Sequence, residues 1–202
     1  MSDFDRITPH LALWHGYDPA VKADLYSTCV LTPRGAYLID LIPLQSETLD
    51  ELVGSSRVAG IVVTNSNHHR ASAKFAEELS VPVFARGETF PDKTPRQFRK
   101  VADGDEICDG LRVSGIEGAV AGEIVLHYAP SGGTLIVGDA LINFEPYGFT
   151  FLPAKYCSNE NEMRRSLRKL LRYKADRMLF AHGSPILSGA SDRLQALLDS
   201  DA

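Results

Sequence analysis

Residues 61–85, IVVTNSNHHRASAKFAEELSVPVFA, change periodicity repeatedly within a short stretch. IVVT is apolar and β-branched, which predicts a buried strand. ASAKFAEEL places Ala71, Phe75 and Leu79 on one face of a predicted helix, and VPVFA is again typical of a strand. Between the first strand and the helix lies NSNHHR, a run of strongly polar side chains. Because loops at strand ends carry binding and catalytic groups, this run is the first candidate for function.

The same alternation of strands and helices extends in both directions from this stretch. Towards the N-terminus, apolar and β-branched runs predict strands at 11–16, 25–31 and 36–42, followed by a helix over 45–53. Towards the C-terminus, the patterns predict strands in LRVSGI, EIVLHYA, TLIVGDALI and RMLFAH, a helix from about Asn159 to Tyr173, and a closing helix from about Ala190. We therefore expect two similar halves within one α/β domain that spans residues 1–202.

Composition limits the classes of function. The chain has 202 residues, of which 44% are apolar and 23% charged, enough for a full hydrophobic core. Its net charge of -5 argues against nucleic acid and anionic membrane as partners. The acidic N-terminus and the lack of a long apolar run predict a cytoplasmic protein. Three widely spaced cysteines predict reduced thiols and exclude a zinc ribbon built on CxxC pairs.

Three of the predicted strands end in residues that can bind a metal. IVVT is followed by NSNHHR, TLIVGD ends in Asp139, and RMLFAH ends in His182. In α/β folds, ligands and chemistry collect beyond the carboxyl ends of strands. A carboxylate and several imidazoles are the donors that zinc prefers.

These strand ends, with their order and spacing, resemble motifs of the metallo-β-lactamase-fold hydrolase superfamily over nearly the whole chain. The matching blocks are CVLTPRGAYLID (29–40), the stretch 61–85, VSGIEGAVAGE (113–123), GDAL (138–141) and LFAHGSP (179–185). The resemblance implies an α/β fold of αβ/βα type, a four-layer sandwich in which two mixed sheets pack face to face with helices outside.

The resemblance also implies which residues occupy the metal-ligand positions. When the family's HxHxDH motif is laid over the residues after Thr64, the first-site histidines fall on Asn65 and Asn67. The histidine of the family's PGH turn falls on Ala119. An amide is a weak ligand and alanine supplies none, so we expect the first metal position to hold no ion.

In the same register, the aspartate of the motif falls on His69 and its last histidine on Arg70, whereas Asp139 and His182 match the family in identity. We expect His69, Asp139 and His182 to be the catalytic residues and to hold at most one divalent ion, with zinc as the preferred metal. Arg70 would repel a metal ion at this site, because its guanidinium stays positively charged at any ordinary pH.

An alternative interpretation treats the motif as a polar network. Asn65, Asn67, His68 and Arg70 would then form a hydrogen-bonded group. Asp139 would be held by Arg70, by His182 or by both, and Arg70 would replace the charge of a metal. A loop histidine is more often solvated or a cap than a ligand, so we place His68 in this network. We expect Asp40, which ends its strand, to accept hydrogen bonds from turn amides.

Two classes of function follow. The first is a hydrolase of small-molecule ester, amide or thioester bonds that uses at most one metal ion. The second is a metal-free member that binds a small molecule or a partner without turnover. The aromatic segment 142–157 has three possible roles: it lines a substrate pocket, forms a homodimer interface or extends the core.

Overall fold

The computed structural model describes residues 4–200. The first half contains, in chain order, β1 (Asp5–Thr8), β2 (Leu11–Asp18), β3 (Ala23–Thr32), β4 (Gly35–Ile39), α1 (Ser46–Val53), β5 (Val58–Val62), α2 (Ser72–Glu78), β6 (Val83–Ala85) and β7 (Phe98–Lys100). The second half contains β8 (Glu106–Cys108), β9 (Leu111–Gly115), β10 (Ile124–Tyr128), β11 (Thr134–Val137), β12 (Leu141–Phe144), β13 (Gly148–Phe151), α3 (Glu160–Leu167), β14 (Arg177–Phe180) and α4 (Ala190–Ser200).

Two mixed sheets form the centre of the fold. The first sheet has the order β1-β2-β3-β4-β5-β6-β7, in which the pairs up to β4 are antiparallel and those from β4 onward are parallel. The second has the order β14-β11-β10-β9-β8, and its β11–β14 pair is parallel. Strands β12 and β13 form a separate hairpin. The parallel pairs matter for function, because they place the carboxyl ends of neighbouring strands side by side.

Three apolar clusters divide the molecule into four layers. The cluster between the sheets includes Leu11, Val30, Ile39, Val62, Leu111, Ile124, Leu126 and Leu179. The cluster between the first sheet and helices α1 and α2 includes Leu38, Leu49, Leu52, Ile61 and Ala76. The cluster between the second sheet and helices α3 and α4 includes Val125, Leu135, Met163, Leu167, Met178 and Leu194. Because strand side chains alternate between faces, each sheet contributes to two clusters, and the predicted αβ/βα sandwich is confirmed.

The predicted helix from about Asn159 to Tyr173 is present but divided. An α-helix covers Glu160–Leu167, and a 3-10 helix covers Arg168–Arg172. Asn159 caps the first part, since its side chain accepts a hydrogen bond from the Glu162 amide at 3.1 Å. Among residues 4–200, no helix has the length and apolar character needed to cross a membrane.

The aromatic segment divides between core and surface. Phe151 is buried, and Phe149 packs against Phe180 with ring centroids 5.8 Å apart. Phe144 and Tyr147, at the turn of the β12–β13 hairpin, are exposed and pack edge to face. Part of the segment therefore extends the core, and its tip presents aromatic surface to solvent.

Candidate functional site

The ends of three strands meet at one edge of the sandwich. In the second sheet, Val137 of β11 pairs with Phe180 of β14, and Asp139 and His182 each lie two residues beyond this pair. The parallel register therefore brings Asp139 and His182 together. In the first sheet, β5 runs on to Thr64, whose carbonyl accepts a hydrogen bond at 2.8 Å from the amide of Ile124 in the second sheet. The loop 65–70 is thus held above the same edge.

His68, Asp139 and His182 converge at this edge. His68 Nε2 lies 3.1 Å from Asp139 Oδ1 and 3.3 Å from His182 Nε2. His182 Nε2 lies 3.3 Å from the same Asp139 oxygen. The side chains of His68 and Asp139 are 2% and 7% exposed, and that of His182 is 21% exposed, so solvent reaches the group from the His182 side. Within residues 4–200, these three form the one group of side chains arranged to hold a metal ion.

His69 lies outside this group, which corrects its assignment from sequence. Its Nε2 donates to the Thr89 carbonyl at 2.6 Å, and its ring stacks on Phe90 at 4.3 Å. It lines a cavity of about 680 Å³ that neither Asp139 nor His182 lines. Neighbouring residues in a turn point to different sides, and here the residue that points at Asp139 is His68.

Arg70 also differs from its predicted role. Its NH1 atom donates to the carbonyl oxygens of Tyr26 and Asp40, at 2.7 and 2.8 Å, and no hydrogen bond or ion pair to Asp139 is among its contacts in the described part of the chain. Arg70 has a left-handed backbone with φ of 39°. The guanidinium therefore joins Tyr26 of β3 to Asp40, the residue directly after β4.

Asp40 supports His68 from behind. One oxygen of Asp40 accepts the Thr64 amide at 2.9 Å, and the other lies 2.6 Å from the Thr64 hydroxyl and 2.9 Å from His68 Nδ1. Asp40 thus bonds a backbone amide, as expected, and in addition orients the imidazole. Its backbone is left-handed, with φ of 51°, a strain of the kind that occurs at functional sites.

Asn65 and Asn67 lie beside Asp139. Asn67 Nδ2 donates to Asp139 Oδ2 at 3.2 Å, and Asn65 Oδ1 accepts the Asn67 amide at 2.9 Å. Ala119 is buried and offers no donor atom. The predicted polar network therefore contains Asn65, Asn67 and His68, and its link to Asp139 runs through Asn67 and His68.

Glu123 is a site residue that the sequence analysis missed. It is fully buried directly before β10, and its carboxylate accepts hydrogen bonds from Asn65 Nδ2 at 2.7 Å and from the Asp139 and Ala140 amides at 2.9 and 3.0 Å. The available signal was an acidic residue directly before the apolar run Ile124–Tyr128, since acids are rarely buried without a role.

Electrostatics set the charge state of the group. Burial by itself lowers the pKa of His68, but the carboxylates of Asp40 and Asp139 outweigh it and raise this pKa to about 10. Burial raises the pKa values of both carboxyls, but the nearby His68 outweighs it, and the pKa of Asp139 falls well below its usual value. Burial, with the charge of Asp139, raises the pKa of Glu123, whereas the hydrogen bonds that Ala140 and Asn65 donate to its carboxylate lower it. Without a metal, His68 is therefore an imidazolium between two carboxylates.

The sequence matches the profile of one known protein family. The sequence profile described as the metallo-beta-lactamase superfamily matches residues 1–200. A search of curated proteins finds no match.

Solved structures show the same fold at low sequence identity. The DIM-1 metallo-beta-lactamase is similar with a TM-score of 0.76 at 17% identity, over 98% of this chain and 97% of that chain. A beta-lactamase domain protein from Burkholderia ambifaria gives 0.75 at 17% identity, over 99% and 76%. A metallo-beta-lactamase family protein from Thermus thermophilus gives 0.70 at 20% identity, over 97% and 80%. With the profile covering nearly its full length, the chain belongs to the metallo-beta-lactamase superfamily.

Proposed function

We propose that the chain is a hydrolase of small-molecule ester, amide or thioester bonds that works with a single divalent ion, most suitably zinc. The observation that carries this proposal is the triangle formed by His68 Nε2, His182 Nε2 and Asp139 Oδ1, with edges of 3.1, 3.3 and 3.3 Å. Zinc bound tetrahedrally at about 2.0–2.1 Å separates its ligands by roughly 3.3–3.4 Å. The three atoms thus have the spacing of donors that could hold one zinc ion.

The donor set also fits the chemistry of zinc. Two imidazoles and one carboxylate with an open position are typical of catalytic zinc sites. The Asp40 carboxylate behind His68 Nδ1 supplies the supporting contact that orients metal-binding histidines in other proteins. A divalent ion held here would polarise a carbonyl group and lower the pKa of a water molecule towards neutrality.

The residues of this chain have separate tasks in that reaction. His68 and His182 would hold the ion through Nε2, and Asp40 would fix the tautomer of His68 by accepting at Nδ1. Asp139 would hold the ion through Oδ1, while its Oδ2 accepts a hydrogen bond from Asn67. His182 lies at the solvent-facing side, so a substrate approaches from there.

A single ion is proposed because the first metal position has lost its donors. Asn65 uses its amide nitrogen on Glu123 and its oxygen on the Asn67 amide, and Ala119 has no donor. The family's two-metal chemistry therefore has no basis in these residues.

One observation favours the alternative of a metal-free binding protein. His68, as an imidazolium between Asp40 and Asp139, neutralises buried charge without an ion. In that case the edge at His182 would bind a small molecule without turnover.

Titration of the chelator-treated protein with cobalt(II) separates the two functions. We expect one equivalent to bind with the intense visible absorption of a tetrahedral site, and we expect zinc to displace it. The loaded protein should hydrolyse at least one member of a panel of small esters, amides and thioesters, and His182→Ala should abolish both binding and turnover. Cobalt binding below a tenth of an equivalent would support the metal-free alternative, and two equivalents would contradict both.

A further inference from the structure

Four residues next to the proposed metal site form a closed ring of hydrogen bonds. Asn65 Nδ2 donates to Glu123 Oε2 at 2.7 Å, and Asn65 Oδ1 accepts the Asn67 amide at 2.9 Å. Asn67 Nδ2 then donates to Asp139 Oδ2 at 3.2 Å, and the Asp139 amide donates back to Glu123 Oε1 at 2.9 Å. Asp139 thus takes part in the ring through both its side chain and its backbone amide.

Glu123 is the acceptor on which this ring depends. It has no exposed surface, and three N–H donors converge on it: Asn65 Nδ2 and the amides of Asp139 and Ala140. Both carboxylate oxygens must therefore accept. Gly138 lies directly against the ring, because an added Cβ would stand 2.6 Å from the Thr64 hydroxyl and 2.8 Å from Glu123 Oε1.

The ring leaves the two oxygens of Asp139 with different partners. Oδ2 is held by Asn67, whereas Oδ1 faces His68 and His182. A carboxylate free to rotate would present either oxygen, and it would lose conformational entropy when it bound an ion. Preorganised ligands avoid this cost.

We propose that Glu123 is a positioning residue that, through Asn65 and Asn67, fixes Asp139 with Oδ1 directed at the metal site. This inference rests on the proposed function in so far as Asp139 is a metal ligand. Asn65 and Asn67, which lie where the family has histidine ligands, thereby serve to orient a ligand of the remaining site.

The polarity of the ring provides a sharp test. In Glu123→Gln, the new amide group opposes either the Asn65 amide or the two backbone amides, so donor faces donor. In Asn65→Asp, two carboxylates face each other inside the protein. The double variant Glu123→Gln/Asn65→Asp reverses this one hydrogen bond and restores all the others at the same net charge. We therefore expect each single variant to be defective and the double variant to recover.

Hydrogen exchange measures the integrity of the ring, and cobalt(II) affinity measures its effect on the proposed metal site. Hydrogen exchange in the metal-free protein should accelerate at the Asp139 and Ala140 amides by at least about tenfold in each single variant, and should return towards the wild-type rate in the double variant. Cobalt(II) affinity should fall by about 10–100-fold in each single variant and recover to within about fivefold in the double variant.

Two further variants keep the test decisive. Glu117→Gln is the same change at an exposed carboxylate of the same loop, and it should alter neither measurement. Asn67→Ala opens the ring at an exposed residue, so it is the substitute if a Glu123 variant does not fold, and it should weaken cobalt binding by at least about fivefold.

The outcomes distinguish this proposal from the proposed function. If the wild-type protein binds no cobalt, the proposed function fails, and the ring is judged by exchange at Asp139 and Ala140 alone. If the wild-type protein binds cobalt but the single variants bind equally well, or the double variant shows no recovery, the positioning role of Glu123 is overturned and the proposed function stands.

Discussion

His68 Nδ1 lies 2.9 Å from Asp40 Oδ2, with both side chains almost fully buried, although the two residues belong to different strand ends. The contact fixes the plane of the imidazole and directs its Nε2 atom at Asp139 and His182. Removing the carboxylate should therefore disturb the proposed metal site without changing a proposed ligand.

Asp40→Asn places an amide group where the Thr64 hydroxyl and the His68 ring need an acceptor. We expect zinc affinity to fall by about 10–100-fold. We also expect the free energy of unfolding to fall by about 1–3 kcal/mol, because a buried donor loses its partner. Competition with a chromophoric chelator and urea denaturation measure the two effects. Asp109→Asn, at an exposed carboxylate, is the control and should change neither.

Alanine substitutions at the adjacent residues His68 and His69 should differ in their effect on zinc binding. His68→Ala removes one of three converging ligands and should abolish detectable zinc binding. His69→Ala removes a hydrogen bond to Thr89 and a stacking contact with Phe90, so it should leave zinc affinity within about threefold of the wild-type value. Titration of each chelator-treated variant checks this, and a loss of zinc binding in His69→Ala alone would reverse the assignment.

Zinc binding should release a proton from His68. The pKa of this group is raised to about 10 by Asp40 and Asp139 despite its burial, so the metal-free protein carries an imidazolium at neutral pH. A ligand must be deprotonated, and the apparent zinc affinity should therefore rise about tenfold per pH unit from near pH 6.5 towards pH 9. Calorimetry at pH 7.5 in buffers of different ionisation enthalpy should show at least one proton released, and a buffer-independent enthalpy would contradict this.

The same pKa shifts predict how the stability of the metal-free protein depends on pH. The raised pKa of His68 contributes stability that is full below about pH 6.5 and is lost as the pH rises towards 10. The lowered pKa values of Asp40 and Asp139 contribute stability that is present above about pH 4 and is lost as the pH falls further. Urea denaturation from pH 4 to 9 should give a maximum near pH 5–6.5, and His68→Ala should flatten the alkaline side.

Arg70→His should not improve metal binding. The guanidinium contacts the carbonyls of Tyr26 and Asp40, so a histidine at this position would point towards these carbonyls and not towards His68, Asp139 and His182. We expect the zinc affinity to stay within about threefold and the free energy of unfolding to fall by about 2–4 kcal/mol, since charge-assisted hydrogen bonds are lost. A tenfold gain in zinc affinity would show that the side chain reaches the site.

The sequence predicted the parts of the structure that depend on strong local patterns. Apolar periodicity predicted most of the strands and helices in their order, and Asp139 and His182 follow from the short strands that end just before them. The run TLIVGDALI, predicted as one strand, forms two, β11 and β12, and strands β1, β7, β8 and β13 were not predicted. The division of the helix after Leu167 was not predicted, because α and 3-10 turns share the same apolar spacing over a few residues.

The details of the site depended on long-range contacts that no local pattern contains. The choice between His68 and His69 is set by the turn that begins with the His68 amide bonded to the Asn65 carbonyl. Arg70 donates to the carbonyls of Tyr26, in β3, and of Asp40, directly after β4, where the sequence predicted a contact with Asp139. The role of Glu123 depends on the fold, which places its carboxylate at the Asp139 amide although Asp139 lies 16 residues later in the sequence.

The three proposed ligands come from both sides of the sandwich: His68 follows a strand of the first sheet, and Asp139 and His182 follow strands of the second. An ion bound to all three would join the two sheets across their seam, between residues as far as 114 positions apart. If the seam closes after the rate-limiting step of folding, the ion stabilises the native state but not the transition state, and saturating zinc slows unfolding while leaving refolding unchanged. Zinc would then determine how long a folded molecule lasts, and the apolar core would determine how fast it forms.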